Sequence, residues 1–130
     1  MRLLDTNIVI YATRAEHRWL RDWIQEEPYR VSSITRVEAL GFRELSEMDK
    51  AAMDILFIAP VLIPVGLRIE ERAIALKQQK RIGLGDSLIA ATALVFDFEL
   101  VTRNVRDFEW IEGLKVINPF NLGLGPGSLI

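Results

Sequence analysis

The sequence predicts an α/β fold: a single domain with a five-stranded parallel sheet flanked by helices, in three layers (α/β/α). Three observations predict it. The chain has 130 residues, the size of one domain. Its hydrophobic and charged fractions, 50% and 26%, are those of a globular core under a solvated surface. Strand-like and helix-like patterns alternate without internal repeat or low-complexity linker, which implies parallel βαβ units with right-handed crossovers.

The elements follow in order. Residues 2–5 read as a short apolar strand. Asp5, Thr6 and Asn7 are helix-capping types, and the pattern after them places Ile8, Ala12, Trp19, Leu20, Trp23 and Ile24 on one face of a single helix that Pro28 stops. Residues 29–33 form a second strand. Thr35 and Glu38 have capping-box spacing and open a helix with Val37, Leu40 and Leu45. Residues 47–58 form another helix, with Met48, Ala52, Ile55 and Leu56 on one side. Residues 60–65 are a short strand, and 66–81 an amphipathic helix carrying Leu67 or Ile69, Ala73, Ile74 and Leu76.

After Gly83-Leu84-Gly85, Asp86 caps a nearly all-apolar run over 87–96, which reads as a central buried helix. Residues 100–102 are a strand, 104–108 a turn or short helix, and 115–117 the last strand. The domain is expected over 1–120, with an irregular tail over 121–130 containing Gly123, Gly125 and Gly127.

Composition narrows the chemistry. With no cysteine there is no disulfide scaffold, thiol nucleophile, thiolate zinc site or iron–sulfur cluster. His17 is the only histidine, so a histidine pair is excluded. The N-terminal apolar run is two residues, against about 7–15 for a signal peptide. The apolar stretches 55–65 and 88–96 fall well short of the roughly 20 residues of a membrane span. A soluble, cytoplasmic protein without membrane contact is expected. There is no Gly-x-x-x-x-Gly-Lys phosphate loop, and Gly83-Leu84-Gly85 is too short for a dinucleotide fingerprint.

Open parallel sheets bind ligands beyond the carboxyl ends of their strands. Four acids fall there: Asp5 after the first strand, Glu38 in the helix after the second, Asp86 opening the central helix, and Asp107 after the fourth strand. Each has an ordinary structural role open to it. Asp5 and Asp86 could be N-caps, Glu38 could close a capping box with Thr35, and Asp107 could be a turn residue. Together they conflict, because gathered carboxylates repel one another unless something neutralises them. A divalent cation does so, and an all-oxygen donor set suits Mg²⁺ or Mn²⁺. Such a site binds phosphates and activates water.

The segments LLDTNIVI (3–10), SSITRVEAL (32–40), GLGDSLIAATAL (83–94), LVTRNVRDF (100–108) and INPF (117–120) resemble the PIN domain, and more narrowly the VapC-type toxins of toxin–antitoxin pairs. The resemblance runs from Leu3 to Phe120. It implies a Mg²⁺- or Mn²⁺-dependent endoribonuclease acting on RNA phosphodiesters. It implies a cognate VapB-type antitoxin whose C-terminal segment blocks the site, and a homodimer or higher even oligomer. The family's acidic positions match at Asp5, Glu38, Asp86 and Asp107. Asp5 and Asp86 are the expected core metal ligands. They would bind directly or through water; Glu38 and Asp107 are second-site or water-mediated ligands, and either could orient the attacking water. Thr6 and Asn104 would hold those carboxylates or the water. Asn7 is read as a helix-start residue.

RNA needs cationic contacts to its phosphates. Arg103, Arg106, Lys80 and Arg81 are the candidates nearest the acidic edge; each could equally belong to a solvated charged face. Trp19 and Trp23 are read as core or interface, and His17 as an ordinary surface residue. An antitoxin groove is expected among the helices of residues 8–24 and 35–58. The formal charge of −2 argues against a nucleic-acid partner only until the site is considered. Of 18 acids, four are assigned to the metal, and setting them aside leaves 14 against 16 bases, a net of +2. Two other readings compete: a non-catalytic RNA-binding or regulatory module, and a phosphoacceptor domain. The second lacks a lysine at the end of a late strand.

Overall fold

The structure is a computed structural model that describes residues 1–125; the final part of the expected tail, 126–130, lies outside the described residues. Five short strands form one parallel sheet: β1 (Arg2–Leu4), β2 (Tyr29–Ser32), β3 (Leu62–Ile63), β4 (Glu99–Val101) and β5 (Lys115–Ile117). Their spatial order is β3-β2-β1-β4-β5. Successive residues of β1 face opposite sides of the sheet, so both faces are apolar. Leu3 and Leu100, paired in register, enter one core with Ile63, Ile69, Ala73 and Ile89. Leu4, Val31 and Val101 enter the other, with Ile8, Val9, Trp23 and Met53.

The second core is covered by α1 (Thr6–Ala12), α2 (Arg18–Gln25), α3 (Ser33–Leu40) and α4 (Glu47–Leu56). The first is covered by α5 (Leu67–Gln79) and α6 (Leu84–Phe96). The expected three layers are therefore present. From β1 the chain moves outward through β2 to β3, then returns across the opposite face to β4. The strand order thus reverses between β1 and β4, the position where open α/β sheets form their ligand crevice.

The helix expected from Asp5 to Pro28 is two helices. Nothing in residues 13–17 is a proline or glycine, so composition hides the break. It is made by side chains: the Thr13 hydroxyl donates to the Ile10 carbonyl at 2.7 Å, Arg14 turns extended, and Arg21 Nε donates to the Ala12 carbonyl at 3.0 Å. Carbonyls orphaned at the end of α1 are satisfied locally rather than by further helix. Between the two helices, residues Ala15–His17 form a 3₁₀ turn.

His17 is not an ordinary surface residue. Its ring meets Tyr11, Trp19 and Phe120 edge-on, at centroid distances of 5.6, 6.3 and 5.3 Å. This cluster fastens the 3₁₀ turn Pro119–Asn121 to α1. Trp19 is half-buried and Trp23 buried, in line with a core reading. Arg2 was not expected to be special. It is buried in β1, with its guanidinium 3.7 Å from the Trp23 ring centroid and Nη1 donating to the Trp23 carbonyl at 2.9 Å.

Two caps differ from expectation. The N-cap of α3 is Ser32, whose hydroxyl accepts from Ile34 N–H at 3.2 Å; Thr35 lies inside the helix and is fully buried, so there is no Thr35–Glu38 capping box. The N-cap of α6 is Gly83, leaving Asp86 in its first turn. Pro60 falls in a 3₁₀ turn, which shortens the third strand to two residues.

Ile8 has no exposed surface and stands at the centre of the core beneath α1. Ile8→Ala is expected to lower the unfolding free energy by about 2–5 kcal/mol in urea titrations followed by circular dichroism. Met48 is 83% exposed, and Met48→Ala should change it by less than about 0.5 kcal/mol.

Candidate active site

Asp5 follows β1 directly, at the point where the strand order reverses. Its backbone N–H continues the ladder to the Val101 carbonyl at 3.0 Å, so its position is fixed by the sheet. Its carboxylate is buried, with 3% exposure. Oδ1 accepts from Thr6 N–H at 2.7 Å, which caps α1, and Oδ2 accepts from the Thr102 hydroxyl at 2.7 Å. Cap and site residue are thus the same side chain. Thr102 comes 97 positions later in the chain, at the carboxyl end of β4. Its own oxygen accepts from Asn104 N–H at 3.0 Å.

Thr6 links the first acid to the second. Its hydroxyl donates to Glu38 Oε1 at 2.7 Å and lies 3.3 Å from the Thr35 hydroxyl. One hydroxyl carries one hydrogen, so Thr6 accepts from the buried Thr35 while it donates to Glu38. Glu38 reaches in turn to α6. A Cβ on Gly85 would stand 2.6 Å from Glu38 Oε2 and 3.2 Å from its carboxyl carbon. The missing side chain at Gly85 is what admits the Glu38 carboxylate beside Asp86.

The carboxylates lie close enough for their charges to raise the pKa values of Asp5 and Asp86. Burial pushes the Asp5 carboxyl up from the ordinary 3.8 to about 6, against the hydrogen bond from Thr102, and the charges of Asp86 and Glu38 add to the rise. Asp86 is raised as well, first by burial and then by Asp107 and Glu38. Asp86 therefore senses the other three acids or is sensed by them. Asp107 sits in the 3₁₀ turn Val105–Asp107 and shares a cavity with Asp86.

Of the polar residues expected beside the acids, Thr6 bridges two of them by side chain. Asn104 contributes its backbone N–H to Thr102, and its side chain makes no capping bond. Asn7 is exposed at the start of α1 and lines a groove instead. Sequence reading gave no site role to Thr102, Thr35 or Gly85. Thr102 was recoverable in principle, since it ends the strand beside β1; Gly85 was not, because its role depends on where a glutamate from another helix lands.

The basic candidates divide. Lys80, Arg81 and Arg106 line the cavity of about 250 Å³ that holds Asp86 and Asp107. Arg103 lies instead over the aromatic cluster, its guanidinium 4.2 Å from the Phe120 ring centroid and 5.2 Å from that of Tyr11. On the far side of α1, Ile10, Tyr11, Phe42, Leu45 and Met53 line an apolar groove of about 270 Å³.

Among the described residues, no three His, Cys, Asp or Glu side chains form a ready-made coordination group. The donors nevertheless fit a hard divalent cation. They are all oxygens, they are acidic, two are driven away from ionisation by burial and by neighbouring carboxylates, and Mg²⁺ is ordinarily held by one or two carboxylates with water filling its remaining positions.

Comparison with known proteins agrees with the geometry. The family profile described as PIN domain matches residues 2–113. The chain is 34% identical over 128 residues to Ribonuclease VapC1 of Rickettsia felis, covering 88% of this chain and 93% of that protein. Among solved structures, a toxin–antitoxin complex from Klebsiella pneumoniae superposes with a TM-score of 0.72 at 31% identity, covering 92% and 98% of the two chains. VapBC2 from Rickettsia felis, bound to a DNA fragment from its promoter, shares the fold with a TM-score of 0.73 at 23% identity, covering 90% and 97%.

The raised Asp5 carboxyl carries a pH signature. Between about pH 4 and 6 the folded protein keeps a proton that the unfolded chain has lost, so stability falls as pH rises through that window and the cost is complete above it. In EDTA, the stability of Asp5→Asn relative to the unsubstituted chain should therefore shift in the variant's favour by about 2–3 kcal/mol between pH 4 and pH 8. Equal differences at both pH values in urea titrations would show an ordinary carboxyl.

Proposed function

The chain belongs to the PIN-domain family, and from that premise we propose that it is a divalent-metal-dependent endoribonuclease acting as the toxin of a VapBC-type pair. The observation that carries the reading is the linked set Asp5–Thr6–Glu38 and Asp5–Thr102, packed against Gly85 and Asp86. That arrangement holds two acids from distant parts of the chain through one buried bond, Thr102 to Asp5, and the shared Thr6, which a purely structural crevice does not need.

Asp5 and Asp86 would hold Mg²⁺ or Mn²⁺, directly or through water, with Glu38 and Asp107 as second-site or water-mediated ligands. When bound, the cation neutralises the carboxylates and the phosphoryl oxygens and makes water a better nucleophile. The chain's own residues supply position and proton acceptance. Thr102 and Thr6 N–H fix both oxygens of Asp5, so its carboxylate cannot rotate away. Thr6 fixes one oxygen of Glu38 and leaves the other to orient the attacking water and take its proton. As the water oxygen bonds to phosphorus, the bond to the leaving ribose oxygen breaks, and that oxygen is protonated from solvent while Glu38 returns its proton to solvent. Lys80, Arg81 and Arg106 would meet the RNA phosphates at the cavity, whereas Arg103 is held over Phe120 and Tyr11 and would reach RNA only outside it.

The apolar groove beside α1 fits a helix of a VapB-type antitoxin, the partner class of the solved relatives; apolar anchors would enter between α1 and α4. Leu67 and Ile74 leave exposed apolar surface on α5 for a homodimer or higher even oligomer. No helix among the described residues is long and apolar enough to cross a membrane, and we place the protein in the cytoplasm, where its substrate is found.

Purified free of partner, the chain should cleave RNA in Mg²⁺ or Mn²⁺ and stop on addition of EDTA. Asp5→Asn and Asp86→Asn should each lower the rate by more than about 100-fold. A full-metal preparation that leaves a broad panel of RNAs intact would favour the non-catalytic RNA-binding reading. Gly85→Ala should displace the Glu38 carboxylate while improving helix propensity, and so lower cleavage by about ten- to a hundredfold without lowering the melting temperature.

A further inference from the structure

Trp110 had no role in the sequence reading, and the structure places it in the cavity with Lys80, Arg81, Arg106, Asp86 and Asp107. Its indole is half-buried, packed against the core beneath α5 and α6. Its Nε1–H donates to the Asp107 carbonyl at 2.9 Å. Packing and hydrogen bond together fix the plane of the ring. The Lys80 ammonium stands over that ring, 5.5 Å from the centroid. A cation thus already rests over an aromatic surface at the cavity wall, and Lys80 is exposed on a flexible stem that can move aside.

An aromatic surface ringed by cations is how proteins bind unpaired nucleotides: the base stacks while the phosphate meets Lys and Arg. The acids alone would repel a polyanion, so these cations are what can hold one at their edge. The cavity of about 250 Å³ is open to solvent, so a base can enter it while its sugar and phosphate stay at the rim beside the cations. A base inside a duplex has both faces covered and cannot reach the indole.

We infer that Trp110, with Lys80, Arg81 and Arg106, forms a one-nucleotide subsite that stacks an unpaired base beside the Asp86–Asp107 edge of the site. The inference deepens the nuclease reading and rests on it. It makes the substrate a single-stranded segment and makes Trp110 a specificity-determining residue. The hydrogen bond to Asp107 ties the stacked base to the turn that carries an acid of the site.

The test is equilibrium binding by fluorescence anisotropy, in Mg²⁺ and in an Asp5→Asn background that prevents turnover. The probes are a fluorescein-labelled single-stranded RNA hexamer and the same strand within a hairpin stem. Trp110→Ala should weaken single-strand binding about tenfold, whereas Trp110→Phe, which keeps a ring, should stay within about threefold. Binding of the hairpin stem should not change. Lys80→Glu, at an exposed position that leaves folding intact, should also weaken binding and reduce its salt dependence. Unchanged binding by Trp110→Ala, or by Lys80→Glu should Trp110→Ala not fold, overturns the subsite. Equal losses for single strand and stem overturn the stacking role. The nuclease reading fails separately, when the unsubstituted chain leaves RNA uncut in Mg²⁺ and Mn²⁺.

Discussion

The architecture of the site depends on one buried carboxylate. Asp5 lies between the ends of β1 and β4, where the strand order reverses, and the hydrogen bond from Thr102 closes that seam across 97 residues of sequence. Desolvation raises its pKa to about 6 despite two donors, so the fold keeps it charged at neutral pH at a cost. The neighbouring contacts follow from that position. Thr6 begins α1 because Asp5 caps it, Thr6 then holds Glu38, and Glu38 fits only because Gly85 has no side chain.

Much of this was legible in the sequence, because the features that specify it are local. Alternation of apolar strands with periodic helices identifies the layers, and the position of each acid at a strand or helix end requires only element boundaries good to a residue or two. What was not legible depended on side chains meeting across the fold. The break between α1 and α2 has no glycine or proline to mark it; it rests on Thr13 and on Arg21 reaching back to Ala12. Thr35 has the spacing of a cap, yet Ser32, three positions earlier, takes that role once the strand ends, and Thr35 is turned inward to support Thr6. His17 looks like a solvent residue until Phe120, over a hundred positions away, packs against it.

The small negative net charge also has a spatial explanation. Asp86 and Asp107 share one cavity with Lys80, Arg81 and Arg106, and Asp5 and Glu38 are linked beside them through Thr6. Attraction for a polyanion is therefore local, and it grows when a cation occupies the acids. A face-wide basic surface is unnecessary for a site of this kind. The aromatic residues are divided in the same way: Tyr11, Trp19 and Phe120 lock the C-terminal turn to α1, while Trp110 alone among the tryptophans borders the acids.

The central claim is that the acids gathered around Asp5 share a divalent ion. Anomalous diffraction from crystals equilibrated with Mn²⁺ tests it most directly. The account predicts a peak within about 2–2.5 Å of a carboxylate oxygen of Asp5 or Asp86, with the Thr102–Asp5 hydrogen bond retained. No peak at saturating Mn²⁺, or one that avoids both residues, would contradict it.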